Sequence, residues 1–331
     1  KVRRGRKIAD TLAQSLNVSS NDAESVSRTA DICKFDLVTQ MVYEFPELQG
    51  VMGQDYALKS GEKEDVAKGI FEHYQPRFAG DAVPTTMAGA IVSIADKIDT
   101  ITGCFSLGII PTGSQDPYAL RRQAAGIVQI ILNCELALKL SDLFEVALNV
   151  HVDFGHMKRS GDEIRKDLMD FFGMRVKKLL SETLRYDVVD AVIAAGFDQI
   201  ASVVARGQAL MSAVQEQEDF KITVESFNRL ANLAAKASRT TIQPELLSEQ
   251  QEKDLYEVWG KLHVPYTAAL EVHNASKAIL LAAELTPAVT SFFDAVMVMA
   301  EDQEIRENRL ALLASIHGDL KQFADFSKLV W

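Results

Sequence analysis

Apolar residues recur at helical spacing along almost the whole chain, and no stretch sustains the strict alternation of a half-buried strand. The clearest stripe lies in 86–102, where Ala90, Ile91, Ile94, Ala95 and Ile98 share one helical face. Upstream, Asn21 and Asp22 are placed to cap a helix running toward Met41, which a turn at Phe45-Pro46 follows because proline disfavours a helical residue before it. A second helix is predicted over 62–73, ending near Pro76, with the loop 77–84 after it. Pro117 suits the first turn of a helix reaching Leu132. Further helical patterns cover 162–184 and 188–204, with a break at Gly196. In the last third, Thr286-Pro287 opens a helix carrying Val289, Phe292, Phe293, Val296 and Met297. A final stripe runs through Ile305, Leu312, Leu313, Ile316, Leu320 and Phe323; Arg309 falls on it, reading as an edge residue whose stem is covered or as a ligand anchor. The pattern predicts an all-α protein with a domain break somewhere in 150–215, and 238–249 is its most polar connector.

Composition adds bounds. The 331 residues suffice for two or three domains, and 47% hydrophobic with 24% charged residues is ordinary for a globular chain. No uninterrupted apolar run approaches the 18 residues of a membrane span, and the basic start KVRRGRK has no apolar segment behind it to make a signal peptide. A chain that begins without Met reads as part of a longer protein. Cys33, Cys104 and Cys134 are far apart and form no CxxC, which points to a reducing, cytoplasmic setting rather than to disulfides or zinc. The net charge of −11 gives no basic footprint, so any nucleic-acid contact rests on local clusters: Lys1–Lys7, Arg121-Arg122 and Lys177-Lys178.

P-loop, Rossmann, HExxH and GxSxG patterns are absent, which removes common means of binding ATP or activating a nucleophile. His151 and His156 are five apart, off the metal-binding helical spacing. One constellation remains. His73, the loop Gly80–Pro84 and the acids Asp96 and Asp99 resemble the second half of a helical phosphohydrolase of the HD superfamily, whose imidazoles and carboxylates hold a divalent ion that activates water. No His is followed by Asp, however, and Cys33-Lys34-Phe35-Asp36 puts a lysine near the acid where the doublet is expected. An ammonium has no lone pair for a metal. The expectation is an HD-like fold without HD catalysis, with His73, Asp96 and Asp99 as relic positions and no metal. A metal-dependent HD-type nucleotide phosphohydrolase is the alternative function.

Longer motifs carry a more specific resemblance. Phe35–Gly50 (FDLVTQMVYEFPELQG), Ala95–Thr100 (ADKIDT), Pro111–Arg122 (PTGSQDPYALRR), Arg185–Val192, Phe292–Met299, Asn308–Leu313 and Ala324–Leu329 are similar to the β subunit of the bacterial two-subunit (α2β2) glycyl-tRNA synthetase, from about residue 34 to the end. The resemblance implies an HD-like helical domain over 1–150, a helical linker region over 151–214 and a helical-bundle anticodon-binding domain over 215–331. It implies tRNA(Gly), the synthetase α subunit and the rest of the β subunit as partners, and no membrane. It also implies no catalytic site and no cofactor in this chain, with ATP and Mg belonging to the α subunit. A scaffold for the α subunit is a third reading. Candidate acceptor-arm contacts are Thr112, Ser114, Arg121 and Arg122, where Asp116 and Pro117 fix the start of a helix and guanidinium groups can pair with phosphate. The competing reading pairs Arg121 or Arg122 with Asp96 or Asp99. Candidate anticodon contacts are Arg306, Arg309, Lys321 and Trp259, of which Trp259 can equally be core.

Overall fold

The computed structural model describes residues 1–216 and 219–331 and is all-α: among the described residues there is no strand, only an isolated bridge between Thr112 and Gln115. The chain forms two compact units, Lys1–Val176 with Asp198–Ile200, and Lys177–Phe197 with Ala201–Trp331. The first contains α1 (Val2–Ser15), α2 (Ser20–Ile32), α3 (Gln40–Glu44), α4 (Val51–Lys59), α5 (Glu64–Glu72), α6 (Met87–Ser106), α7 (Leu120–Asn133) and α8 (Leu140–Asp153). The helix α9 (Gly161–Leu180) carries the chain onward to α10 (Tyr186–Ala194), α11 (Ile200–Glu216), α12 (Phe220–Ala234), α13 (Gln250–Glu271), α14 (Ala275–Ala283), α15 (Thr286–Ala295) and α16 (Gln303–Leu320).

In the first unit α6 is the central helix, packed by α1, α2, α5, α7 and α8. Its sequence suggests one stripe, but Ala88, Val92, Ser93, Lys97, Ile101 and Phe105 are buried as well as the stripe, so it is covered nearly all round. Thr86 caps it through Gly89 N–H, and the buried Glu72 carboxylate at the end of α5 accepts from the N–H and hydroxyl of both Thr85 and Thr86. A carboxylate at a helix N-terminus also favours the helix dipole, so this junction fixes where α6 begins.

Several expected boundaries move. The cap of α2 is Ser19, which accepts from Asp22 N–H, rather than Asn21 or Asp22, and α2 stops at Ile32 instead of continuing toward Met41. The second predicted helix starts at Glu64. Pro117 does not open α7: residues 116–119 form a turn in which Ala119 adopts φ +53°, and the helix starts at Leu120. Asp116 still serves that terminus, accepting from the N–H groups of Leu120 at 2.7 Å and Arg121 at 3.0 Å.

In the second unit α12 packs on α15 and α16, and α13 on α14, α15 and α16. The buried Arg206 guanidinium donates to the carbonyls of Val192, Gly196 and Phe323, closing the C-terminal ends of α10 and α16 with one cation. The segment Ala275–Ala295 is long enough and, with a mean hydropathy of 1.3 over an 18-residue window, apolar enough to cross a membrane by length and composition. It is split between α14 and α15, and Ala278, Ile279, Ala282, Leu285, Val289 and Phe292 are fully or almost fully buried within the unit, as core helices are.

Candidate nucleic-acid interface

Two of the three positions that the sequence likens to an HD metal site, His73 and Asp96, come together in the first unit, with Lys34 between them. His73 is fully buried at the end of α5; its Nδ1 lies 2.5 Å from Ile70 O and so carries the proton, which leaves Nε2 as acceptor. The Lys34 ammonium donates to that Nε2 at 3.0 Å and to Asp96 Oδ2 at 3.2 Å, and lies 4.6 Å from the centre of the Tyr74 ring. The lone pairs an HD enzyme would give a metal are thus held by an ammonium. Among the described residues no cluster of three or more His, Cys, Asp and Glu is arranged to hold a metal. Asp99, one turn on, does not join His73: it is bound by Arg4, Lys1 and His151.

The electrostatics follow from burial. Burial first, and the Lys34 charge second, push His73 down to about 3. Burial alone would raise Asp96, but the Lys34 and Lys1 ammonium groups outweigh it and hold the carboxyl down to about 2. Both folded pKa values lie below their unfolded ones, so the unfolded chain binds more protons as pH falls. The stability linked to His73 is fully present above pH 6.5 and drains away as pH falls toward 3; that of Asp96 goes below pH 3.8. The first unit is expected to melt at progressively lower temperature between about pH 6.5 and 4, and His73→Asn should flatten that slope; an equal slope in the variant would contradict it.

The Pro111–Arg122 segment lies on the surface of the same unit. Thr112, Gly113 and Ser114 are exposed, Gln115 N–H closes the turn on Thr112 O at 2.9 Å, and Gly113 takes φ +53°. Arg121 is half-buried and Arg122 exposed in the first turn of α7. Among the described residues neither guanidinium pairs with an acid, because Asp96 and Asp99 are taken by other cations. The pairing with Asp96 or Asp99 that the sequence left open is therefore not formed. A residue unnoticed in the sequence completes the cluster: Arg175 on α9 stacks over Phe171 at 3.8 Å and donates to its carbonyl at 2.6 Å. Burial lowers the Arg175 pKa, and the nearby Arg121 charge lowers it further against the pull of Asp116. Two like charges are held together with one carboxylate beside them. No local motif announces Arg175, because it lies on a helix far along the chain from Arg121.

In the second unit the candidates divide. Lys321 is exposed at the end of α16, and Arg306 is half-buried, donating to Ala300 O at 2.9 Å. Arg309 is neither a covered edge residue nor free: its guanidinium is buried against Glu252, with further bonds to Met297 O at 2.8 Å and Ser248 Oγ at 3.3 Å. Trp259 is 5% exposed and packs edge-on to Tyr266 and His263. Arg229, for which the sequence gives no local signal, lies with its guanidinium 4.3 Å from the Phe293 ring centre and is only partly covered.

Comparison with known proteins bears on both units. Residues 1–194 match the family described as glycyl-tRNA synthetase beta subunit, and residues 223–325 match the DALR anticodon binding domain. The chain is 45% identical over 331 residues to the glycine–tRNA ligase beta subunit of Desulforamulus reducens, and 44% over 333 residues to that of Halalkalibacterium halodurans. Each alignment takes in 100% of this chain and 48% of the relative, so the chain spans about half the length of these curated relatives. The similarity thus begins at residue 1, ahead of the motifs that first revealed it.

Proposed function

The chain belongs to the glycyl-tRNA synthetase beta subunit family, and we propose on that premise that it is the tRNA-binding part of a glycine–tRNA ligase β subunit. It holds tRNA(Gly) for aminoacylation at a site on the α subunit, which brings the ATP and Mg chemistry. Its partners are then tRNA(Gly), the α subunit and the remainder of β, and its place is the cytoplasm. The reading keeps the division into 1–150 as HD-like domain, 151–214 as linker region and 215–331 as anticodon-binding domain, the last supported by the match over 223–325.

The observation that carries the acceptor-arm contact is the surplus of guanidinium charge around α7. Neither Arg121 nor Arg122 has an acid partner among the described residues, Arg175 adds a further guanidinium charge nearby, and Thr112 and Ser114 offer hydroxyls in the loop in front of them. A phosphate backbone would supply the missing counter-charge and accept bidentate bonds from the arginines. In the second unit, Arg306, Lys321 and Arg229 are side chains open to an RNA loop, whereas Trp259 is buried and Arg309 is buried in the ion pair with Glu252 that joins α13 to α16.

The test is a tRNA(Gly) titration of the Arg121→Glu/Arg122→Glu chain beside its thermal stability. Affinity is expected to fall by about tenfold or more at roughly 100 mM salt with an unchanged melting temperature, and the salt dependence of binding should become shallower by about one contact per arginine lost. Unchanged affinity would refute the acceptor-arm assignment. In the same titration, anticodon-substituted tRNA should bind more weakly; equal binding would refute the anticodon assignment.

A further inference from the structure

Around Asp99, α1, α6, α8 and the loops after α6 and α8 line an open cleft of about 420 Å³ in the first unit. This is the low end of small-ligand pockets, the size for one nucleotide rather than an oligomer. Its charge is opposite to that of the chain. Lys1, Arg4 and Lys158 line it against the single carboxylate Asp99, whereas the protein as a whole carries −11. Asp99 is itself held by the bidentate Arg4 pair at 2.7 and 3.2 Å and by Lys1 at 3.5 Å, and it accepts from the His151 Nε2–H at 3.1 Å. Lys1 also pairs with Asp96, whereas Lys158 is exposed and makes no ion pair among the described residues. The walls between these cations are apolar, from Gly103, Leu107 and Ile109.

Two aromatic groups complete it. Tyr118 is 52% exposed and lies in the loop just ahead of Arg121; His156 is exposed and stacked on Phe154 with ring centres 6.4 Å apart. His151, 1% exposed, forms the back wall, and its Nδ1 finds no hydrogen-bond partner within the described residues. Gly103 keeps that wall open, since a Cβ there would come within 3.1 Å of the His151 ring. A cleft of this volume, with apolar walls, two exposed aromatic rings and the unpaired cation Lys158, suits a base with its phosphate and lacks the acidic ligands a metal would need.

We propose that this cleft binds a single unpaired nucleotide, the base against Tyr118 and His156 and the phosphate at Lys158. The nucleotide can be presented by an RNA strand or be a free nucleoside monophosphate, since the chemistry of recognition is the same. The experiment titrates AMP and a single-stranded trinucleotide onto the 331-residue chain and onto Tyr118→Ala and Lys158→Glu. Neither side chain is part of the packed core, so folding should be untouched, and melting curves check this. Each substitution is expected to weaken binding roughly tenfold or more, as loss of a stacking face or a phosphate contact does. Tighter binding of the trinucleotide identifies an RNA strand as the source; equal binding identifies the free nucleotide. No binding of either probe at millimolar concentration, or binding unchanged in both variants, overturns the proposal. The Arg121→Glu/Arg122→Glu chain separates this from the function proposed above: it should lose tRNA affinity while AMP binding persists.

Discussion

Arg309→Met should destabilise the second unit by about 3–5 kcal/mol, the usual cost of leaving one partner of a buried ion pair uncompensated. Glu252 is 0% exposed. One of its oxygens accepts from the Ser248 and Glu249 N–H groups as part of a capping box at the start of α13, and the other takes the Arg309 Nε–H. With methionine at 309 the carboxylate keeps its backbone donors but loses its cation. Adding Glu252→Gln removes the stranded charge while keeping a cap acceptor, so the double variant should recover more than half of the loss. Urea denaturation of the four proteins of this cycle measures the coupling. A loss below about 1 kcal/mol in Arg309→Met would mean that the pair contributes little, and would return Arg309 to the candidates for RNA contact. tRNA affinity measured below the unfolding transition should change little in the same variant.

Arg309 also marks where sequence reading stops. Helical periodicity placed it on the apolar face of α16, which is correct, and an arginine there is ordinarily an edge residue. What turns it inward is Glu252, 57 residues earlier, whose own spacing reads only as a polar first turn. Periodicity reports which face is covered and carries nothing about a partner on another helix. The same limit explains α6: its stripe was legible, whereas its burial nearly all round depends on five neighbours that local spacing does not encode. The all-α class was legible because it is a property of spacing alone. Arg121 and Arg122 were candidates because a motif announced them, and Arg175 was not one because only the fold brings it near Arg121. The competing pairing of those arginines with Asp96 or Asp99 fails for a reason also outside the motif, since Lys1 and Arg4 on or beside α1 reach the acids first.

Lys34→Asp should convert the place where Lys34 joins His73 to Asp96 into a site for a divalent cation. The wild-type ammonium holds the His73 Nε2 lone pair and Asp96 Oδ2 within 3.2 Å of one point, and Tyr74 closes one side. An aspartate in place of the lysine removes the competing charge and supplies the carboxylate that the missing His-Asp doublet would have given. Imidazole with two carboxylates suits Mn²⁺ or Zn²⁺. Without metal the variant should be less stable than the parent, because the introduced carboxylate and Asp96 then face each other without the cation. Saturating metal at about a hundred times its dissociation constant adds roughly 2.7 kcal/mol, which for a unit of this size raises the melting temperature by about 5–10 °C. Lys34→Met supplies the control, since it removes the ammonium without adding a ligand, and it should not respond. If Lys34→Asp melts at the same temperature with and without Mn²⁺ or Zn²⁺, the geometry has drifted too far from a metal site for one residue to restore it. A clear rise would mean that the ammonium alone stands between this fold and metal binding, so that the lysine does by charge what the metal does in an HD enzyme: it joins the end of α5 to the middle of α6.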